Sequence, residues 1–195
     1  MLRRLYDWTM RMAGHGHATA WLFGVAFFEG FCFPVPPDAL ILPMALARRE
    51  RAFLIAGIAT LGSVLGGIAG YAIGYFLFNE LGRPLLEFYG AMPDFLHFQA
   101  LYDRWGVWVV LVAGLTPVPY QAATLGSGVF QFDFVAFILS AAAARGLRFY
   151  IEAILIWHFG PPVRRFVEKN LALTVSAGVA AVFILFLIAR HVLNG

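Results

Sequence analysis

The chain has 195 residues, of which 61% are hydrophobic and 13% charged, with a formal net charge of +3. Soluble domains run nearer half apolar and a quarter charged, so the composition points to a membrane protein. No lysine-rich arm supports nucleic-acid binding, and the single cysteine, Cys32, excludes an intramolecular disulfide or a cysteine-based metal cluster.

Residues 1–13 set Leu2, Leu5, Tyr6, Trp8, Thr9 and Met12 against Arg3, Arg4, Asp7 and Arg11, the pattern of a short amphipathic helix on a membrane surface. A cleaved signal peptide is not expected, because the apolar run before Ala45-Leu46-Ala47 is too long and contains Glu29, Asp38 and prolines. Apolar residues 19–33, with Cys32 as packing, and 38–47 predict helices of roughly 22 Å and 15 Å, both short of a hydrocarbon core of about 30 Å. The break between them holds Pro34, Pro36 and Pro37, and proline cannot continue a helix interior. Residues 19–47 therefore read as a re-entrant hairpin.

Residues 52–78 are long enough to span and carry Gly66-xxx-Gly70-xxx-Gly74, a small-residue face that admits a close backbone neighbour, either a hairpin of the same chain or a second subunit. Residues 84–105 mix apolar side chains with Asp94, His97, Asp103 and Arg104 and predict an interfacial helical connector. A second re-entrant hairpin follows at 106–130, its tip marked by Pro117 and Pro119, and 134–159 and 171–190 predict further spans. The expected fold is a single all-α integral membrane domain over 1–195, an inverted repeat of two re-entrant hairpins with three full transmembrane helices. Irregular backbone at membrane depth is tolerated only where protein buries it or it lines a wet cavity, and paired breaks of this kind mark transporters.

Lys and Arg distribution sets the orientation. The side holding 1–13, 48–51 and 161–170 has Arg3, Arg4, Arg11, Arg48, Arg49, Arg51, Arg164, Arg165 and Lys169, against Arg83, Arg104 and Arg190 on the other. The N-terminus is expected in the cytoplasm, and the two hairpins enter from opposite faces.

Glu29, Asp38, Arg145, Arg148 and Glu152 lie within apolar sequence, where each charge needs a partner or water. The spacing of Arg145, Arg148 and Glu152 puts all three on one helical face. The arginines serve either as an ion-pair latch to the acids or as an anion site, since guanidinium grips phosphate in a bidentate fork. Carboxylates crowded in low dielectric cannot all ionise, so Glu29, Asp38 and Glu152 are candidates to hold an exchangeable proton. Asp38 also begins a helix, where capping is its plainer role, and the helix start after each tip points backbone donors inward. No metal-ligand cluster, cofactor loop or catalytic triad can be nominated, and no cofactor, metal or enzymatic activity is expected.

Glu29-x-x-x-x-Pro34-x-Pro36-x-Asp38, then Gly66-x-x-x-Gly70-Tyr71-x-x-Gly74, then Gly114-x-Thr116-Pro117-x-Pro119-Tyr120, resemble the DedA (SNARE-associated, VTT-domain) membrane proteins. Arg145-Gly146-Leu147-Arg148-Phe149-Tyr150 is similar to the YqaA-type branch, and the resemblance covers roughly residues 20–165. It implies a re-entrant-hairpin fold in the bacterial inner membrane that moves polyprenyl phosphate or phospholipid, driven by protons. On that basis the expected substrate-binding residues are Arg145, Arg148, Tyr120 and Asp38, and the proton-coupling acids are Glu29, Asp38 and Glu152. Many relatives carry arginines beside the second tip, where this chain has Gly114 and Tyr120. Arg145 and Arg148 are expected to supply that charge from the next helix. The other readings are a proton-coupled carrier of a small solute or ion and a non-transporting scaffold or envelope-stress factor, with a homo-oligomer possible in each.

Overall fold

A computed structural model of the chain describes residues 18–32, 36–90, 92–116 and 119–169. The expected surface helix at 1–13, the expected span at 171–190 and the tip prolines Pro34 and Pro117 lie outside these residues. Helices account for the described elements, with no strand among them: α1 Ala18–Glu29, α2 Asp38–Ala47, a 3-10 turn Arg49–Arg51, α3 Ala52–Leu77, a π-helical turn Phe78–Gly82, α4 Arg83–Tyr89, α5 Met92–Leu115, α6 Tyr120–Val129 and α7 Phe134–Lys169. Among the described residues two segments are long and apolar enough to cross a membrane, the 41-residue run Arg49–Tyr89 and the 27-residue run Phe134–Gly160.

The helix over 19–33 is shorter than expected. It ends at Glu29, and the chain turns through Cys32, whose amide donates to the Phe28 carbonyl at 2.8 Å. Cys32 is exposed there, so it does not serve as packing. The connector at 84–105 does not end before a separate arm begins. Gly90, at φ 66°, closes α4 in the left-handed conformation that glycine adopts most readily, and α5 then runs unbroken past 105 to Leu115. His97, Asp103 and Arg104 alter which surface the helix presents without removing any backbone hydrogen bond, so nothing there stops it.

α3 is the central element, packed against α1, α6 and α7. Its glycines set the spacing. A methyl group added at Gly62 would lie 2.8 Å from the Phe23 carbonyl, and one at Gly66 would overlap the Phe27 backbone, so α1 crosses α3 along that stretch. One at Gly74 would overlap the Leu125 carbonyl, and one at Gly128 would overlap the Tyr71 carbonyl, so α6 crosses further along with glycine on both sides of the contact. The glycine face is thus filled from within the chain. Where the two short hairpin helices approach each other, the Thr124 hydroxyl donates to the Gly30 carbonyl at 2.7 Å.

Aromatic rings brace the far end of α3, with Phe78 stacked on Phe95 at 4.5 Å, Phe95 on Phe130 at 5.5 Å and Phe130 on Tyr102 at 5.0 Å. At the opposite end α7 continues through Pro161 and Pro162. Proline lacks a backbone N–H, so the Trp157 carbonyl has no donor four residues on. The Arg49 guanidinium donates to it instead, in space that Gly160 leaves open.

Gly66→Ala is expected to cost at least about 1–3 kcal/mol, because backbone cannot yield as a flexible side chain does. Gly24→Ala, on α1 with nothing within 4 Å, should be neutral or stabilising by about 0.5–1 kcal/mol. Thermal unfolding of the two variants in detergent checks the contrast, and equal tolerance would mean that α1 does not lie on α3.

Candidate functional site

Both broken hairpins converge on one stretch of α7. Glu29 is the last residue of α1 and Asp38 the first of α2, so the two acids flank the first tip. Thr116 follows α5 and Tyr120 begins α6, so these two flank the second tip. Arg145 and Arg148 reach across to all four. Arg145 pairs with Glu29, and Arg148 pairs with Asp38 while donating to the Thr116 carbonyl at 3.0 Å. Glu152, one turn further along α7, lies 3.8 Å from Arg148.

The two pairs differ in access. The Arg145 side chain is 2% exposed and Glu29 11%, whereas Arg148, Asp38 and Glu152 are 21%, 26% and 29% exposed. The inner pair is closed off by aromatic rings. The Arg145 guanidinium lies 4.1 Å from the centroid of the Tyr120 ring and 5.5 Å from that of Phe149. Such stacking supplies a charged group with a partner that costs little to desolvate. The outer group opens on a cavity of about 410 Å³ between α2 and α7, lined by Asp38, Leu42, Glu152, Leu155, Ile156 and Phe159. One end of that cavity is carboxylate and its walls are apolar.

Every sequence-nominated site residue among those described belongs to this junction or borders it. Tyr120 is sealed beneath Arg145 at 1% exposure, so its ring faces protein and not an open site. Asp38 makes no side-chain cap; its carboxylate is drawn to Arg148. The amides of Ala39, Leu40 and Ile41 donate to the Pro36 and Pro37 carbonyls and that of Ala122 to the Pro119 carbonyl, so these first-turn donors are already engaged. Pro37 is buried while Pro36 and Pro119 are exposed. Gly114 is where α5 meets α7: a methyl group there would lie 2.6 Å from the Ala144 methyl, which leaves no room for a long side chain.

Sequence reasoning did not nominate Thr116, Gly67, Phe149 or Ser63 as site residues. The Thr116 contact is through a carbonyl, which any residue has, so no side-chain signal was available. Phe149 lies four positions after Arg145, a spacing that places it on the same face. A methyl group at Gly67 would lie 2.8 Å from the Tyr120 hydroxyl, so this glycine leaves the space that the ring occupies. Ser63, one turn before Gly67 and fully buried, has a hydroxyl without a protein partner, as do the Tyr120 hydroxyl and Arg145 Nε.

An uncharacterized protein of Haemophilus influenzae is 35% identical over 185 residues, covering 93% of this chain and 96% of that protein. The chain belongs to its family. A second uncharacterized protein, from Histophilus somni, is 33% identical over 147 residues, 75% of this chain and 76% of the relative. No protein-family model matches, and no solved structure matches. Both relatives are bacterial.

Arg145→Gln should cost about 3–5 kcal/mol, the penalty for leaving Glu29 as an uncompensated buried charge. Glu29→Gln should cost distinctly less, since the rings of Tyr120 and Phe149 still hold Arg145; unfolding of both variants by denaturant compares them. Gly67→Ala should destabilise, and adding Tyr120→Phe should restore much of the loss, because the atom in the way is the hydroxyl oxygen. No restoration in the double variant would place the tyrosine elsewhere.

Proposed function

We propose that the chain is an integral protein of the bacterial inner membrane, with its N-terminus in the cytoplasm, that translocates a lipid phosphate with proton coupling. Polyprenyl phosphate and phospholipid are the substrate class. In this reading α1–α2 and α5–α6 are the re-entrant hairpins of an inverted repeat, and α3, α7 and residues 171–190 are the three full spans. The resemblance of the Glu29–Asp38, Gly66–Gly74 and Gly114–Tyr120 motifs to DedA proteins supports it, as do the exposed faces of α3 and α7, rich in Leu54, Leu61, Phe76, Leu139, Ile154 and Trp157. Large apolar side chains facing outward are costly in water and suited to lipid.

The observation that carries the reading is the cavity between α2 and α7, apolar along its walls and ending on the carboxylates of Asp38 and Glu152, the two acids that face Arg148. A hydrocarbon chain fits such walls, and a phosphate placed at the polar end lies next to the two carboxylates that hold the Arg148 guanidinium. With all three acids ionised the junction has one surplus negative charge, which repels an anionic headgroup. Protonation of Asp38 and Glu152 reverses that sign and releases Arg148 to bind phosphate. Proton uptake and headgroup loading are then one linked equilibrium, because the two carboxylates and the phosphate compete for the same donor.

A proton-coupled carrier of a small solute or ion is favoured by one specific observation, that both guanidiniums are already held by carboxylates. The two readings separate by binding. Detergent-purified wild type should retain undecaprenyl phosphate in native mass spectrometry, and a folded Arg148→Gln variant should lose at least tenfold in retention. Equal retention in both proteins, or none in either, would favour the solute carrier.

A further inference from the structure

We propose that Tyr120, with Phe149 behind it, is a positioning residue that keeps Arg145 seated when Glu29 takes a proton, and so sets the pH at which the junction loads an anion. The inference rests on the translocase reading above and assigns Tyr120 a place behind Arg145 in contrast to direct contact with substrate. Three observations lead to it. The guanidinium lies 4.1 Å from the Tyr120 ring and 5.5 Å from Phe149, so it has neutral partners besides Glu29. Arg145 and Tyr120 are 2% and 1% exposed, which denies water to the guanidinium if the carboxylate is neutralised. Gly67 leaves room for the Tyr120 hydroxyl, which a methyl group there would approach to 2.8 Å.

The linkage follows from charge. Glu29 faces Arg145 and, less closely, Arg148 from α7, Asp38 from α2 and the neutral Tyr120 from α6, with Glu152 beyond Arg148. When Glu29 becomes neutral, Arg145 loses its counter-charge. A ring face that holds the cation reduces the cost of that step. Glu29 acts on Arg148 and Asp38 as well as on Arg145, so its neutralisation adds to that of Asp38 and Glu152 in making the junction positive for an anion. Without the Tyr120 ring, Arg145 depends more heavily on ionised Glu29. Neutralising Glu29 then needs a higher proton concentration, and loading moves to lower pH.

The test uses full-length protein in phosphatidylcholine vesicles containing a fluorescently labelled polyprenyl phosphate, with transbilayer movement followed from pH 5 to 9. Tyr120→Leu should shift the midpoint of the pH profile down by about one unit, equivalent to about 1.4 kcal/mol. Phe149→Leu, removing the more distant ring, should shift it less, and Tyr120→Phe should leave it in place. A purely structural role would lower activity at every pH with the midpoint unmoved. Wild-type activity with coincident midpoints for wild type, Tyr120→Leu and Phe149→Leu would overturn the positioning role while sparing the translocase. No movement of the probe by wild type at any pH would overturn the translocase reading and this inference with it.

Discussion

A charge in an apolar interior must find a partner, and in this chain that requirement fixes where two broken hairpins meet. Arg145 and Arg148 sit on one face of α7, and neither can be left unpaired without a penalty of several kcal/mol. Glu29 and Asp38 satisfy them from either side of the first tip, and Thr116 and Tyr120 from either side of the second. The short helices α1, α2 and α6, of 12, 10 and 10 residues, have little length of their own along which to pack. Their positions are determined instead by these polar contacts and by the glycines of α3.

The glycines and the charges act together. Close approach of α1 and α6 to α3 brings Gly30 and Thr124 within one hydrogen bond, and that approach brings Glu29 and Tyr120 to Arg145. A bulkier α3 would hold the hairpins away and leave the arginines without partners. Small residues therefore contribute to the electrostatics although they carry no charge. Arg49 repeats the logic at the end of α7, where a guanidinium replaces the donor that Pro161 lacks.

The junction is graded from closed to accessible. Arg145, paired with Glu29, is covered by rings, whereas Asp38 and Glu152, which face Arg148, border the cavity between α2 and α7. Two arginines three residues apart thus have different surroundings: one suited to holding the hairpins in register, the other to exchanging its carboxylate partners for a ligand. In the proposed cycle, protons act at both levels, and the aromatic rings allow the inner level to change charge without coming apart.

Much of this was legible in the residues themselves. Proline breaks, apolar run lengths and the Gly66–Gly74 spacing are local properties that backbone chemistry reads directly, which is why α2 and α3 begin at the positions expected from the sequence. The isolation of Glu29, Asp38, Arg145, Arg148 and Glu152 in apolar sequence named the members of the junction, because a buried charge is conspicuous in any register. The continuity of α5 was not legible, since polar residues at a helix surface resemble those of a loop until the helix has a neighbour. Nor could the sequence decide which acid meets which arginine, that Tyr120 lies beneath Arg145, or that Gly67 leaves it room. Those depend on distances between segments that are remote along the chain, and only the packing of α1, α6 and α7 around α3 sets them.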